Sequence, residues 1–132
     1  MRPPDMEQRL TDRHVLVVDD DDDIRASMVL ALQSQGARIS EAADGNEAVA
    51  AMHAEVPDAM VLDLMLPGRS GFLVLDEARA LAATPVVVMV TANEGRRHEA
   101  YAHAHGVDAY FTKPTPLGAL VDRIADLLEA RP

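Results

Sequence analysis

The stretch "HVLVVDDDDDIR", residues 14–25, decides how the rest of the chain is read. Its first half is apolar and β-branched, the composition of a strand covered on both faces. Its second half opens with a run of aspartates, Asp19 to Asp23. Like charges at contact distance repel, and a carboxylate that is neither hydrated nor paired is costly. The block is therefore either a solvated turn or a place prepared for something positive. The residues that converge on it elsewhere in the chain decide between the two.

A helical pattern follows the aspartates, with Ile24, Met28 and Leu32 on one face and Gly36 placed to stop it. "ARISEA" (37–42) reads as a second strand. An Ala-rich helix comes next, with Asp44 or Asn46 as its cap and Pro57 as its break. "AMVLDL" (59–64) is a third strand, "MLPGRSG" a loop, and "FLVLDEARAL" a helix. "VVVMV" (86–90) is the fourth strand, "EGRRHEAYAHAH" a helix stopped by Gly106, and "DAYFT" (108–112) the fifth strand. A last helix follows, in which Thr115 is the expected cap and Pro116 the first residue. Strands thus start at intervals of roughly 22 to 27 residues, alternating with helices, which calls for a parallel sheet with helices on both faces.

With 132 residues, 48% of them hydrophobic, the chain supports one core and not two. Residues 1–12 read as a flexible leader and 13–131 as the single domain. The net charge of −10 argues against direct contact with nucleic acid, which needs clustered Lys and Arg. Cysteine is absent, which excludes thiol catalysis, disulfides and Cys-based zinc sites. No apolar run approaches the roughly 18 residues of a membrane helix. A soluble cytoplasmic protein with no membrane partner is expected.

In a doubly wound sheet, ligands sit beyond the carboxyl ends of the strands. Here strand one delivers Asp19 and Asp20 to that edge, strand three Asp63, strand four Thr91 and strand five Lys113. Carboxylates meeting there need a counter-charge. Mg²⁺ suits them, because it takes one or two carboxylates, keeps several waters and accepts a phosphate oxygen. With an ammonium and a hydroxyl added, the edge can receive a phosphoryl group, and one aspartate can be its nucleophile. Asp21 to Asp23 fall in the turn and first helical turn, where the helix dipole favours negative charge.

The motifs "VVDDDDDIR", "VLDLMLPGRSG", "VVMVTA" and "DAYFTKP" resemble, in order and spacing, the receiver domain of bacterial two-component response regulators. The resemblance covers residues 14–130. It implies a flavodoxin-like fold, a five-stranded parallel sheet of order 2-1-3-4-5. The order comes from the resemblance and not from any pattern in the chain. It implies that Asp63 is the phosphoacceptor, and that Asp20, Asp63 and the backbone carbonyl of Met65 hold Mg²⁺, with Asp19 assisting through water. Lys113 contacts the phosphoryl oxygen, Thr91 turns toward it, Tyr110 follows Thr91, and Lys113–Pro114 is cis. The implied protein is a stand-alone phosphorylation switch, catalysing only its own aspartyl phosphorylation and dephosphorylation. Its implied partners are a sensor histidine kinase or histidine phosphotransfer protein, and a downstream protein. One departure stands out: Thr115 follows "KP" where the family usually has an apolar or aromatic residue.

Three other readings compete. Dimerising members carry an interfacial salt bridge at the positions of Asp108 and Arg123, so a homodimer through helix 4, strand 5 and helix 5 is an alternative. Phosphatases of the haloacid-dehalogenase type share an Asp nucleophile, Mg²⁺, Thr and Lys. They place the nucleophile on strand one, however, with cap insertions this chain lacks. An EF-hand loop fails, since Ile24 and Leu30 stand where Gly and Glu are required. His98, His103 and His105 read as ordinary histidines of the fourth helix.

Overall fold

The computed structural model describes residues 8–92 and 96–131. Five strands, β1 (His14–Val18), β2 (Arg38–Ala42), β3 (Ala59–Leu62), β4 (Val86–Thr91) and β5 (Ala109–Thr112), form one parallel sheet in the order β2-β1-β3-β4-β5. The helices between and after them are α1 (Asp22–Gln33), α2 (Gly45–Ala54), α3 (Gly71–Arg79), α4 (Arg96–Ala104) and α5 (Leu117–Glu129). The expected doubly wound architecture and strand order are those found.

Strand alternation divides the core in two. Val15, Val17, Val61, Val88 and Val90 face α1 and α5, packing on Met28, Leu32, Leu120 and Ile124. Leu16, Val18, Met60, Leu62 and Met89 face the other way, toward Met52, Val74, Leu75 and Ala102. Every residue of β1, β3 and β4 is buried, as strands covered on both sides must be. β2 and β5 are the partly exposed edges.

Local signals end the elements where polar groups need partners. Asp21 caps α1 by accepting from the N–H groups of Asp23 and Ile24, and Asp44 caps α2 by accepting from Glu47 N–H. Gly36 follows α1 at φ +91°, a conformation that costs glycine little. Ser70 caps α3, which starts one residue earlier than the sequence suggests. Thr115 does not cap α5. Its hydroxyl donates back to Thr112 O at 3.1 Å, Pro116 takes the cap position, and no side chain caps the helix. The expected start of the fourth helix, at 94, lies outside the described residues.

Residues 8–12 also differ from a loose leader. Leu10 is fully buried in the α1–α5 half of the core, and its N–H donates to Gln35 O at 2.9 Å. Burial of one leucine side chain contributes about 2 kcal/mol. Arg9 adds ion pairs to Asp126 at 2.7 Å and Glu129 at 2.9 Å on α5.

Two aspartates stitch the amino end of the sheet. Asp58 accepts from His14 N–H at 2.8 Å and donates its own N–H to His14 O at 2.8 Å. Asp108 does the same with both backbone groups of Val87, again at 2.8 Å. α4 is attached differently. Its one buried residue is Ala102, and its Tyr101 ring tilts against Phe72 of α3 at 4.5 Å and stacks on His105 at 4.0 Å between centroids. His105 Nδ1 lies 2.9 Å from Asp76 Oδ1 on α3.

Candidate functional site

The carboxyl ends of β1, β3 and β5 bring four of the expected residues together. Asp19 and Asp20 follow β1, and Asp63 follows β3 directly. Ligand-capable oxygens of Asp19, Asp20 and Asp63 all lie within 4.8 Å of one another. Asp19 and Asp63 are buried, whereas Asp20 is exposed. Lys113 extends from the end of β5, and its Nζ lies 2.8 Å from Asp19 Oδ2 and 3.0 Å from Asp63 Oδ2.

Each group is aimed by backbone. Asp19 N–H donates to Ala42 O at 3.2 Å, and Asp63 N–H to Val18 O at 3.1 Å, which extends the ladder past the strand ends. Asp19 Oδ1 accepts from Asp21 N–H at 2.9 Å, and Asp63 Oδ1 accepts from Met65 N–H at 3.1 Å. The second oxygen of each carboxylate is thereby left for the cation. Met65 has its side chain in solvent and its backbone in the loop beside Asp63. That loop is held close to α3: a Cβ at Gly71 would stand 2.4 Å from Asp63 O, so only glycine fits there.

Burial opposes the charge on Lys113, but the carboxylates of Asp19 and Asp63 outweigh it, and its pKa is raised. Asp19 Oδ2 is buried and meets the ammonium as an ion pair with no aligned hydrogen bond. Three clustered carboxylates, two of them on one ammonium and one with a buried oxygen lacking an aligned donor, fit a hard divalent cation.

Thr91 ends β4 fully buried, and its carbonyl accepts Lys113 N–H at 2.8 Å, so hydroxyl and ammonium sit on adjoining strand ends. Tyr110 stands on β5 three residues before Lys113. Its ring is partly buried on the α2–α4 side of the sheet. Burial raises its pKa, and the negative charges of Glu99 and Asp63 add to the rise. Lys113–Pro114 is cis. Asp108 sits at the opposite end of the sheet, engaged with Val87, and Arg123 is exposed on α5.

Sequence reasoning missed Arg25. Its guanidinium reaches back from α1 to the loop that carries Asp19 and Asp20, donating to Asp19 O at 2.8 Å. The signal was available: an arginine three residues after Asp22 and one helical turn past the aspartates.

Comparison with known proteins identifies the family and the fold. The family model for the response regulator receiver domain matches residues 15–125. The chain is 35% identical over 126 residues to the transcriptional regulatory protein PrrA of Mycobacterium tuberculosis, a match covering 96% of this chain and 54% of that protein. The chain thus spans about half the length of the curated relatives it matches. A CheY-like receiver domain from Methanospirillum hungatei superposes with a TM-score of 0.84 at 28% identity, covering 89% of this chain and 94% of that one. A DNA-binding response regulator of the LuxR family from Staphylococcus aureus gives 0.83 at 25% identity, covering 88% and 98%.

The names of PrrA and the LuxR-family protein conflict with the expectation of no direct nucleic-acid partner. That expectation rested on the charge of this chain, which says nothing about a further domain of a longer protein. The phosphatase alternative is not favoured by any of these matches. No helix among the described residues is long and apolar enough to cross a membrane. The family match and the acidic edge with its lysine lead to one assignment: the chain belongs to the response regulator receiver domain family, a signalling switch of two-component systems and not an enzyme of the ordinary kind.

Proposed function

We propose that this chain is a phosphoacceptor switch modified on Asp63. The observation that supports it most is the single ammonium of Lys113 lying between the Asp19 and Asp63 carboxylates, with Asp20 beside them. The donor is a phosphohistidine on a sensor histidine kinase or histidine phosphotransfer protein. A carboxylate oxygen of Asp63 attacks phosphorus, the P–N bond breaks, and the imidazole leaves with a proton from solvent. Water later cleaves the acyl phosphate, returning the Asp63 carboxylate and inorganic phosphate.

Asp20, Asp63 and the Met65 carbonyl would hold Mg²⁺, with Asp19 acting through water. The ion supplies neutralisation of charge on the transferring oxygens. Lys113 orients the Asp63 carboxylate before transfer and meets a phosphoryl oxygen after it. The Lys113 N–H bond to Thr91 O ties the end of β5 to that of β4. A change at the phosphoryl group therefore reaches Thr91, and Tyr110 two strand positions before Thr112. The downstream output is transcriptional, through a further domain, as the names of PrrA and the LuxR-family protein suggest.

The test is incubation with acetyl phosphate and Mg²⁺, borohydride trapping and peptide mapping by mass spectrometry. Label is expected on Asp63 alone and is lost in Asp63→Asn. Undiminished label in that variant removes the proposal.

A further inference from the structure

The Asp20 side chain is exposed, so the direction of its carboxylate is set by the backbone on either side of it. Asp19, just before it, is held at three points besides the Lys113 ion pair at its Oδ2. Its N–H is bound to Ala42 O, its Oδ1 to Asp21 N–H, and its carbonyl to Arg25 Nη1 at 2.8 Å. Only the last of these grips the peptide unit that joins Asp19 to Asp20. We infer that Arg25 is a positioning residue for the cation site, orienting the Asp19–Asp20 peptide so that the Asp20 carboxylate meets that of Asp63. The inference rests on the reading of the acidic edge as a Mg²⁺ site.

The guanidinium is well placed to do this. Its side chain is 16% exposed, and each of its three nitrogens has its own acceptor. Nη1 takes the Asp19 carbonyl, Nε takes Glu41 Oε1 at 3.0 Å, and Nη2 takes Asp22 Oδ1 at 2.7 Å. The fork thus joins the end of β1 to β2 and α1. Arg25 N–H donates to Asp21 O at 2.9 Å, which roots the side chain in the helical turn that Asp21 caps. A bare cation beside a divalent site would repel the ion. Glu41 and Asp22 both hold the fork flat and offset its charge. Lysine keeps the charge but offers one compact nitrogen, which cannot serve three acceptors in a plane.

A purely structural role would lower stability and leave metal affinity alone, so the two are separable. Arg25→Lys is compared with the parent and with Arg38→Lys. Arg38 makes a similar fork on the same strand as Glu41, to Glu55, well away from the carboxyl edge. Mg²⁺ is titrated without any phosphoryl donor, following the backbone amide shifts of Asp20 and Asp63. Arg25→Lys should bind about tenfold more weakly, the usual scale for loss of an outer-sphere contact, and Arg38→Lys should match the parent. In metal-free protein, the Asp21 amide should exchange with solvent faster in Arg25→Lys only. With acetyl phosphate, the half-saturating Mg²⁺ should rise about tenfold, while the rate at saturating metal stays within about twofold.

Binding by Arg25→Lys within about twofold of the parent overturns the inference, as does an equal loss in Arg38→Lys. Should Arg25→Lys fail to fold, Glu41→Ala removes the acceptor of the Nε arm alone and should weaken binding about threefold; unchanged affinity there overturns the inference too. A parent that binds no Mg²⁺ fails the metal reading itself and takes this inference with it. A parent that binds beside a variant that binds equally well fails the inference alone.

Discussion

At the amino end of the sheet, Asp58 and Asp108 each hold both backbone groups of one residue on the next strand. At the carboxyl end, Asp19, Asp20 and Asp63 cluster, and the ammonium of Lys113 pairs with Asp19 and Asp63. The side chain is the same and the surroundings are not. The amino-end carboxylates accept from N–H dipoles of the sheet, so each is satisfied where it stands. The carboxyl-end carboxylates face one another, and one ammonium leaves two negative charges unmatched. The first arrangement stores stability. The second stores a demand for a divalent cation, at some cost to the fold while that demand is unmet.

The comparison breaks most visibly at Lys113. In metal-free buffer, Lys113→Met should lose about 3 kcal/mol in urea unfolding, because it strands buried carboxylates without a counter-charge. Added Mg²⁺ should recover part of the loss. A variant as stable as the parent would mean that the ammonium does not hold this edge. The sign with pH follows from the raised pKa of Lys113. Its contribution is fully present below the unfolded lysine value of about 10.4 and is lost as pH rises through the folded value. Parent and variant should therefore converge in alkali.

At the amino end, Asp108→Ala should lose about 2 kcal/mol, since the buried N–H of Val87 is left unmet. Mg²⁺ should not change the size of that loss. Dependence on Mg²⁺ would erase the distinction between the two ends. The smallest effect has the opposite sign. Asp20→Asn relieves repulsion at an exposed position and should stabilise the metal-free chain by about 0.5 kcal/mol. That gain should vanish in saturating Mg²⁺. A loss in both conditions would show that Asp20 serves the fold.

Much of this was legible in the sequence because strands and site chemistry are both written locally. Runs such as "VVVMV" have one reasonable use, and an ionisable residue at the end of such a run is placed by the strand itself. The illegible features depend on distant partners. Leu10 is a lone apolar residue in a polar stretch, and only its cavity beside α1 and α5 reveals it as core. The fork of Arg25 needs Glu41, sixteen residues away. Thr115 has the chemistry of a cap, but the turn aims its hydroxyl back at Thr112 O. The strand order itself came from family resemblance, because five buried parallel strands can be arranged in more than one way.

The attachment of α4 has a mechanical consequence. Interlocked aliphatic side chains resist sliding, because any shift opens a void, and voids are costly in a core packed to crystal density. α4 has few such side chains: its Tyr101 ring tilts against Phe72 of α3 at 4.5 Å and stacks on His105 of its own segment at 4.0 Å. With only Ala102 seated in the core, α4 would open a smaller void than its neighbours if it shifted. α5 sits on five buried side chains and is clamped in place. α4 is thus the lightly seated helix and α5 the clamped one, so a displacement at the sheet edge meets less packing resistance at α4 than at α5.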